Sequence, residues 1–146
     1  MNAPTLYELI ICGIAIAIMT VEDIREGKIS PPICLILVIL AAFEPAKDYL
    51  AGLYGALIGF IPLFLCARFG GGGDGDALVA AAIGFTVPMR FEVYFLFTSS
   101  VVYVAVLAIA VLRTKNKYKQ YPYLPFMAIG FVITVIYTIF TTGVIV

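Results

Sequence analysis

The chain has 146 residues, of which 63% are hydrophobic and only 12% charged, with a mean hydropathy of +1.10. Soluble domains are nearer half apolar and carry about twice that charge density, so the composition predicts an integral membrane protein, read as a single domain over residues 1–146. Nine basic and nine acidic residues cancel, which offers bulk attraction neither to nucleic acid nor to an acidic partner.

The chain opens "MNAPTLYE", without the basic start of a secretory signal, so the first apolar run is expected to be kept as a helix. Apolar runs predict six spans, at about 5–21, 31–43, 50–67, 77–89, 93–112 and 123–145. Backbone polar groups in lipid must pair within their own segment, so each span is expected to be a helix. The second and fourth are short for a full crossing and are expected to pack inside the bundle or to extend past their apolar limits. The expected fold is an all-α membrane protein, a six-transmembrane-helix bundle.

Cys12, Cys34 and Cys66 lie far apart within apolar segments, with no CxxC pair and no histidine in the chain. That pattern gives no reason to expect a zinc site or any other metal, and the thiols read as small packing groups. Orientation follows from the basic residues. The first, third and fifth connections hold Arg25, Lys28, Arg68, Arg113, Lys115, Lys117 and Lys119, against only Lys47 and Arg90 in the second and fourth. This bias predicts odd-numbered connections in the cytoplasm and both termini outside. The run at 113–120, "RTKNKYKQ", reads as a topology anchor at anionic headgroups.

Under that topology three carboxylates share one membrane depth. Asp23 lies in "MTVEDIREGKIS" at the end of the first helix, and Asp74 and Asp76 lie in "FGGGGDGDALVAAAIG" at the start of the fourth. An Asp directly before an apolar run makes a good helix N-cap, and glycines before it would serve a tight turn. Asp23 reads equally as a solvated interfacial charge beside Arg25. Carboxylates at the edge of a bilayer are nevertheless costly, and successive glycines let a bound peptide approach the backbone closely. With no histidine and no evident serine or cysteine nucleophile with a base, paired carboxylates are the catalytic chemistry left: one ionised to activate water, one protonated to assist the leaving group. The helix ends suggest an assignment. Asp76, at a positive N-terminal end, is expected to be the base, and Asp23, near a negative C-terminal end, the proton donor.

The glycine stretch resembles the GxGD signature of intramembrane aspartic proteases, specifically the prepilin peptidases, whose pattern is roughly G-x-G-x-G-D before an apolar helix. Gly71, Gly73, Gly75 and Asp76 fit it, Gly84 falls at the expected place, and Asp74 occupies a variable position. "DIREGKISPP" is similar to the family's D-[IL]-R-x-x-x-I-P, with Asp23, Ile24, Arg25 and Ile29 in register and the proline one residue late at Pro31. "YPYLPFMAIG" is similar to its I-P-F-x-P-F-L-A-x-G segment through Pro122, Pro125, Phe126, Ala128 and Gly130. The chain departs from many members in carrying Leu78 where they have lysine, and in lacking a cytoplasmic insertion with paired cysteines.

The resemblance implies an aspartic endopeptidase with Asp23 and Asp76 as its catalytic pair, Gly73 and Gly75 beside the substrate, and no cofactor. It implies removal of short basic leader peptides from type IV pilin-like precursors at the cytoplasmic face of the inner membrane. It further implies a minimal, peptidase-only member, like those of tight-adherence pilus systems or the archaeal preflagellin peptidases. Glu22 and Glu26 flank Asp23 and are placed either to attract the leader's lysines and arginines or only to solvate the helix end. The competing readings are a small transporter or channel with membrane-edge aspartates and an inactive peptidase-like scaffold. A presenilin-like protease would need a Pro-Ala-Leu motif that is missing, and a phosphate-binding loop would need Gly-Lys-Ser/Thr after the glycines.

Overall fold

The computed structural model describes residues 3–44, 47–70, 73–114 and 122–142. Gly71, the lysines of the basic run and the last three residues of the sixth predicted span lie outside them, as does the side chain of Arg113. The described residues form α1 (Leu6–Glu26), α2 (Pro31–Ala42), α3 (Tyr49–Gly70), α4 (Asp74–Thr86), α5 (Met89–Thr114) and α6 (Leu124–Thr142). Each takes the place of one predicted span, in order.

The ends differ from expectation for identifiable reasons. α1 runs past its apolar stretch through the charged "EDIRE" and stops at Gly27, which adopts the left-handed conformation at φ 63° and returns its N–H to the Asp23 carbonyl at 2.9 Å. α4 ends at Thr86 rather than near residue 89, because Val87 precedes Pro88 and is driven to extended backbone, φ −97° and ψ 161°. The same proline then opens α5 early, its carbonyl accepting the Glu92 N–H at 3.2 Å.

Among the described residues, three helices are long and apolar enough to cross a membrane: α3 over Tyr49–Phe69, α5 over Met89–Ala110 and α6 over Leu124–Thr141. α2 is a shorter apolar helix, and α4 has only 13 residues. The outward faces are apolar, with Leu50, Leu53, Leu57, Ile61 and Leu65 exposed along α3 and Val93, Phe97, Val101 and Val104 along α5, as suits contact with acyl chains rather than water. This is a helical membrane protein.

α4 is the innermost element, touching α1, α2, α3 and α5 and burying Ala77, Val79, Ala80, Ala82, Ile83, Gly84 and Thr86. Its closest partner is α3. Gly52, Gly55 and Gly59 form one stripe of α3 against Phe85, Gly84 and Ala80, and a Cβ at any of them would run into the facing backbone carbonyl. With apolar surface equally content in lipid, such close backbone packing and interhelical hydrogen bonds supply the association. The α5–α6 contact follows the same rule: Gly130 sits against Ser99, and the hydroxyls of Thr98 and Thr134 meet at 3.0 Å.

At the end of the bundle away from the glycine stretch, a polar knot ties three helices. Thr5 and Glu8 form a capping box at the start of α1. Glu8 is paired at 3.0 Å with Lys47 of the α2–α3 connection, both side chains almost wholly buried. The same ammonium reaches the Thr86 carbonyl at the end of α4, and Thr5 donates to Glu44 at 3.1 Å.

Candidate active site

The site is assembled from three chain ends. Gly27 turns the chain sharply out of α1, so that Lys28, Ile29 and Ser30 lead directly into Pro31 and Pro32, which open α2 where a missing N–H costs nothing. This short link carries Ile29 against Gly75 of α4, with Cδ1 3.0 Å from the place a Cβ would take. The start of α4 is thereby brought to the end of α1. α6 arrives with its first N–H, that of Leu124, facing the Asp23 carboxylate.

Asp76 is not the N-cap that its position before an apolar run predicts. The chain enters the helix at Gly73, in extended backbone with no side-chain cap, so that Asp74 is the first helical residue and Asp76 the third. The Asp76 N–H bonds the Gly73 carbonyl at 3.2 Å, and the Gly73 N–H faces the Asp76 carboxylate in return. That is the backward-reaching half of a capping box. It holds the carboxylate close to the cap, with Oδ2 3.4 Å from where a Gly73 Cβ would stand.

Both aspartates lie past the apolar stretches of their helices, and both are harder to ionise than an ordinary carboxyl. Burial is the main cause for Asp76, and the neighbouring Asp23 charge adds to it, against the opposing Gly73 N–H, pushing the group up to about 7. Burial also raises Asp23, opposed by the Leu124 N–H. The two carboxyls therefore face one another's charge, and Asp76 is not made easy to ionise by its place at a helix N-terminus, as the helix ends predict. A helix N-terminus is worth about 0.3–1 kcal/mol, below the roughly 1.4 kcal/mol of one pKa unit, whereas Asp76 moves from 3.8 to about 7. Enclosure outweighs the dipole.

The other expected site residues are distributed as follows. Gly73 is exposed beside Asp76, open to a ligand's approach. Gly75 packs closely on Ile29, whose side chain takes the space a Cβ would need. Glu22 is half-buried with its Oε2 unpartnered among the described residues, Glu26 is exposed at the end of α1, and Asp74 is exposed. One Asp23 oxygen, Oδ2, is also buried without a hydrogen-bond partner among the described residues. Sequence reasoning missed Tyr123, whose phenol feels the charge of Asp76 and lies near Cys66 of α3 and Tyr103 of α5. The signal for it was present: a tyrosine stands where the motif at the start of the last helix carries phenylalanine.

A bundle of apolar helices that brings two carboxyls with raised pKa together at one end defines a helical membrane protein with a paired-carboxyl site. Residues 9–109 match the model of the type IV leader peptidase family, a stretch that runs from α1 into α5 and holds both aspartates. The chain belongs to that family, and membership makes it a peptidase. No curated protein and no solved structure matches it significantly.

Proposed function

We propose that the protein is an aspartic-type endopeptidase of the cytoplasmic membrane that removes the short basic leader from type IV pilin-like precursors, with Asp23 and Asp76 as its catalytic pair. The observation that carries this reading is the mutual proximity of the two carboxyls, expressed in the charge of Asp23 adding to the burial that raises Asp76. Such a pair is suited to hold one proton between them near neutral pH.

In this mechanism the Asp23 carboxylate takes a proton from water as the water oxygen attacks the scissile carbonyl carbon. The Asp76 carboxyl gives its proton to the carbonyl oxygen, producing a neutral gem-diol. On collapse Asp76 recovers its proton from one hydroxyl as the carbonyl reforms, and Asp23 passes its proton to the departing amine. Each carboxyl ends in the state in which it began.

The proposed topology has six crossings with the aspartates at the cytoplasmic face, supported by the bias of basic residues toward the odd connections. Glu22 and Glu26, one helical turn apart beside Asp23, would face the leader's positive charges, and a precursor's apolar helix would stay in the bilayer. The test is cleavage of a co-expressed pilin-like precursor. Asp23→Asn and Asp76→Asn are each expected to abolish processing, because acid and base both need a titratable carboxyl, while Asp74→Asn keeps substantial activity. An inactive Asp74→Asn beside an active Asp76→Asn would overturn the assignment. Charge reversal at Glu22 or Glu26 is expected to slow cleavage of basic leaders selectively.

A further inference from the structure

We infer that Tyr123, oriented by Ser100, is a further catalytic residue of this site, its phenol O–H hydrogen-bonding the substrate peptide at the carbonyl under attack. The inference rests on the peptidase reading above.

The geometry comes from three contacts. The Tyr123 hydroxyl meets the Ser100 hydroxyl of α5 at 3.1 Å. Its ring is held edge-on by Tyr103 at 5.0 Å between centroids, and Tyr103 is itself braced edge-on by Phe126 at 5.3 Å. Tyr123 also immediately precedes Leu124, whose N–H faces Asp23. The phenol thus belongs to the chain segment that meets Asp23 one residue further on, is held by α5, and lies within electrostatic reach of Asp76.

Donor counting then singles the pair out. Thr98, Ser99, Thr134 and Thr138 each return a hydroxyl to a carbonyl one turn back in their own helix, as hydroxyls in apolar helices commonly do. Ser100 instead turns to Tyr123, on a face where its neighbours Phe97, Val101 and Val104 are exposed and apolar. Two hydroxyls carry two donors, and the bond between them uses one. Either hydroxyl can donate in that bond; we take Ser100 as the donor, which leaves the phenol O–H for whatever occupies the site. An unused donor on an apolar face is costly, and a peptide carbonyl drawn to the aspartates would satisfy it as negative charge builds on that oxygen.

The experiment uses the full chain, purified, with a pilin-like precursor carrying a basic leader, and measures kcat and KM separately. Tyr123→Phe keeps the ring packing and is expected to lower kcat by about 10- to 100-fold, the order lost with one donor to a developing oxyanion, with KM little changed. Ser100→Ala is expected to lower kcat less, and the double variant to be no worse than Tyr123→Phe alone, because Ser100 acts only through the phenol. Wild-type kcat in Tyr123→Phe, with Asp76→Asn inactive in the same assay, removes Tyr123 from the chemistry and leaves the peptidase reading standing. So does a loss that appears only in KM, or two losses that simply multiply. A wild-type protein that cuts no precursor takes both readings down together.

Discussion

Ile29 occupies the space that a side chain on Gly75 would need, its Cδ1 and Cβ lying 3.0 and 3.2 Å from the ideal Cβ position. Ile29 is six residues past Asp23 and Gly75 is one before Asp76, so this contact couples the two aspartate-bearing segments. Gly75→Ala is expected to push them apart at a cost of about 1–3 kcal/mol, typical of an inserted methyl in a filled space. Trimming the partner in Ile29→Val or Ile29→Ala should restore much of the loss. Melting temperature and cleavage rate of the two single variants and the double variant form a cycle, and strict additivity would refute the coupling.

The raised pKa values make two pH predictions. Activity that needs Asp76 protonated and Asp23 ionised should fall on the alkaline side as pH passes about 7, and a kcat/KM profile checks it. Stability has a sign of its own. Between 3.8 and about 7 the folded protein holds a proton on Asp76 that the unfolded chain has released, so the stabilisation present below that window is lost as pH rises through it. Asp76→Asn should flatten this slope, melting near wild type at about pH 3.5 and above it at about pH 8.

The α3–α4 interface tolerates no side chain at its glycines. A Cβ on Gly55 or Gly84 would stand inside the opposite backbone, whereas one on Gly13 would meet only the Phe131 ring edge at an ordinary 3.7 Å. Gly55→Ala and Gly84→Ala are therefore expected to lower the yield of folded protein sharply, by at least the roughly 1–3 kcal/mol of overpacking because backbone must move. Gly13→Ala should be close to neutral. Size-exclusion profiles and melts in detergent distinguish the two classes.

The buried pair of Glu8 and Lys47 should behave as such pairs do when one member is removed. Lys47→Met or Glu8→Gln alone is expected to cost about 3–5 kcal/mol, and the double replacement less than either, because an uncompensated buried charge is worse than none. A double variant as unstable as the sum of the singles would show that the pair is not acting as a unit.

The course of the chain was legible because long apolar runs leave helices little alternative in lipid. What escaped was set by particular residues: Pro88, which shortens α4 and lengthens α5, and the charged tail of α1, which stays helical until Gly27. That Asp23 and Asp76 stand at one end of the bundle was legible from helix order, but their meeting was not, because it needs α1 and α4 to be neighbours. Nor was the rise of Asp76, because enclosure is a property of the packed bundle while a helix dipole can be read along one segment. The stripe of Gly52, Gly55 and Gly59 was readable in spacing and went unread. The bond of Tyr123 to Ser100 joins residues whose approach no local pattern announces.

The polar knot at the far end of the bundle gives α4 the character of a lever. One cation fastens its last carbonyl, and the glycine contacts with α3 clamp it from Phe85 back to Ala80. Beyond that fulcrum the helix continues for under two turns to Asp76, with Ala77 and Val79 buried and Ile29 against Gly75. A tilt about that fulcrum would move the carboxyl most and the Lys47 end least, so the residues farthest from the aspartates anchor the helix that carries one of them.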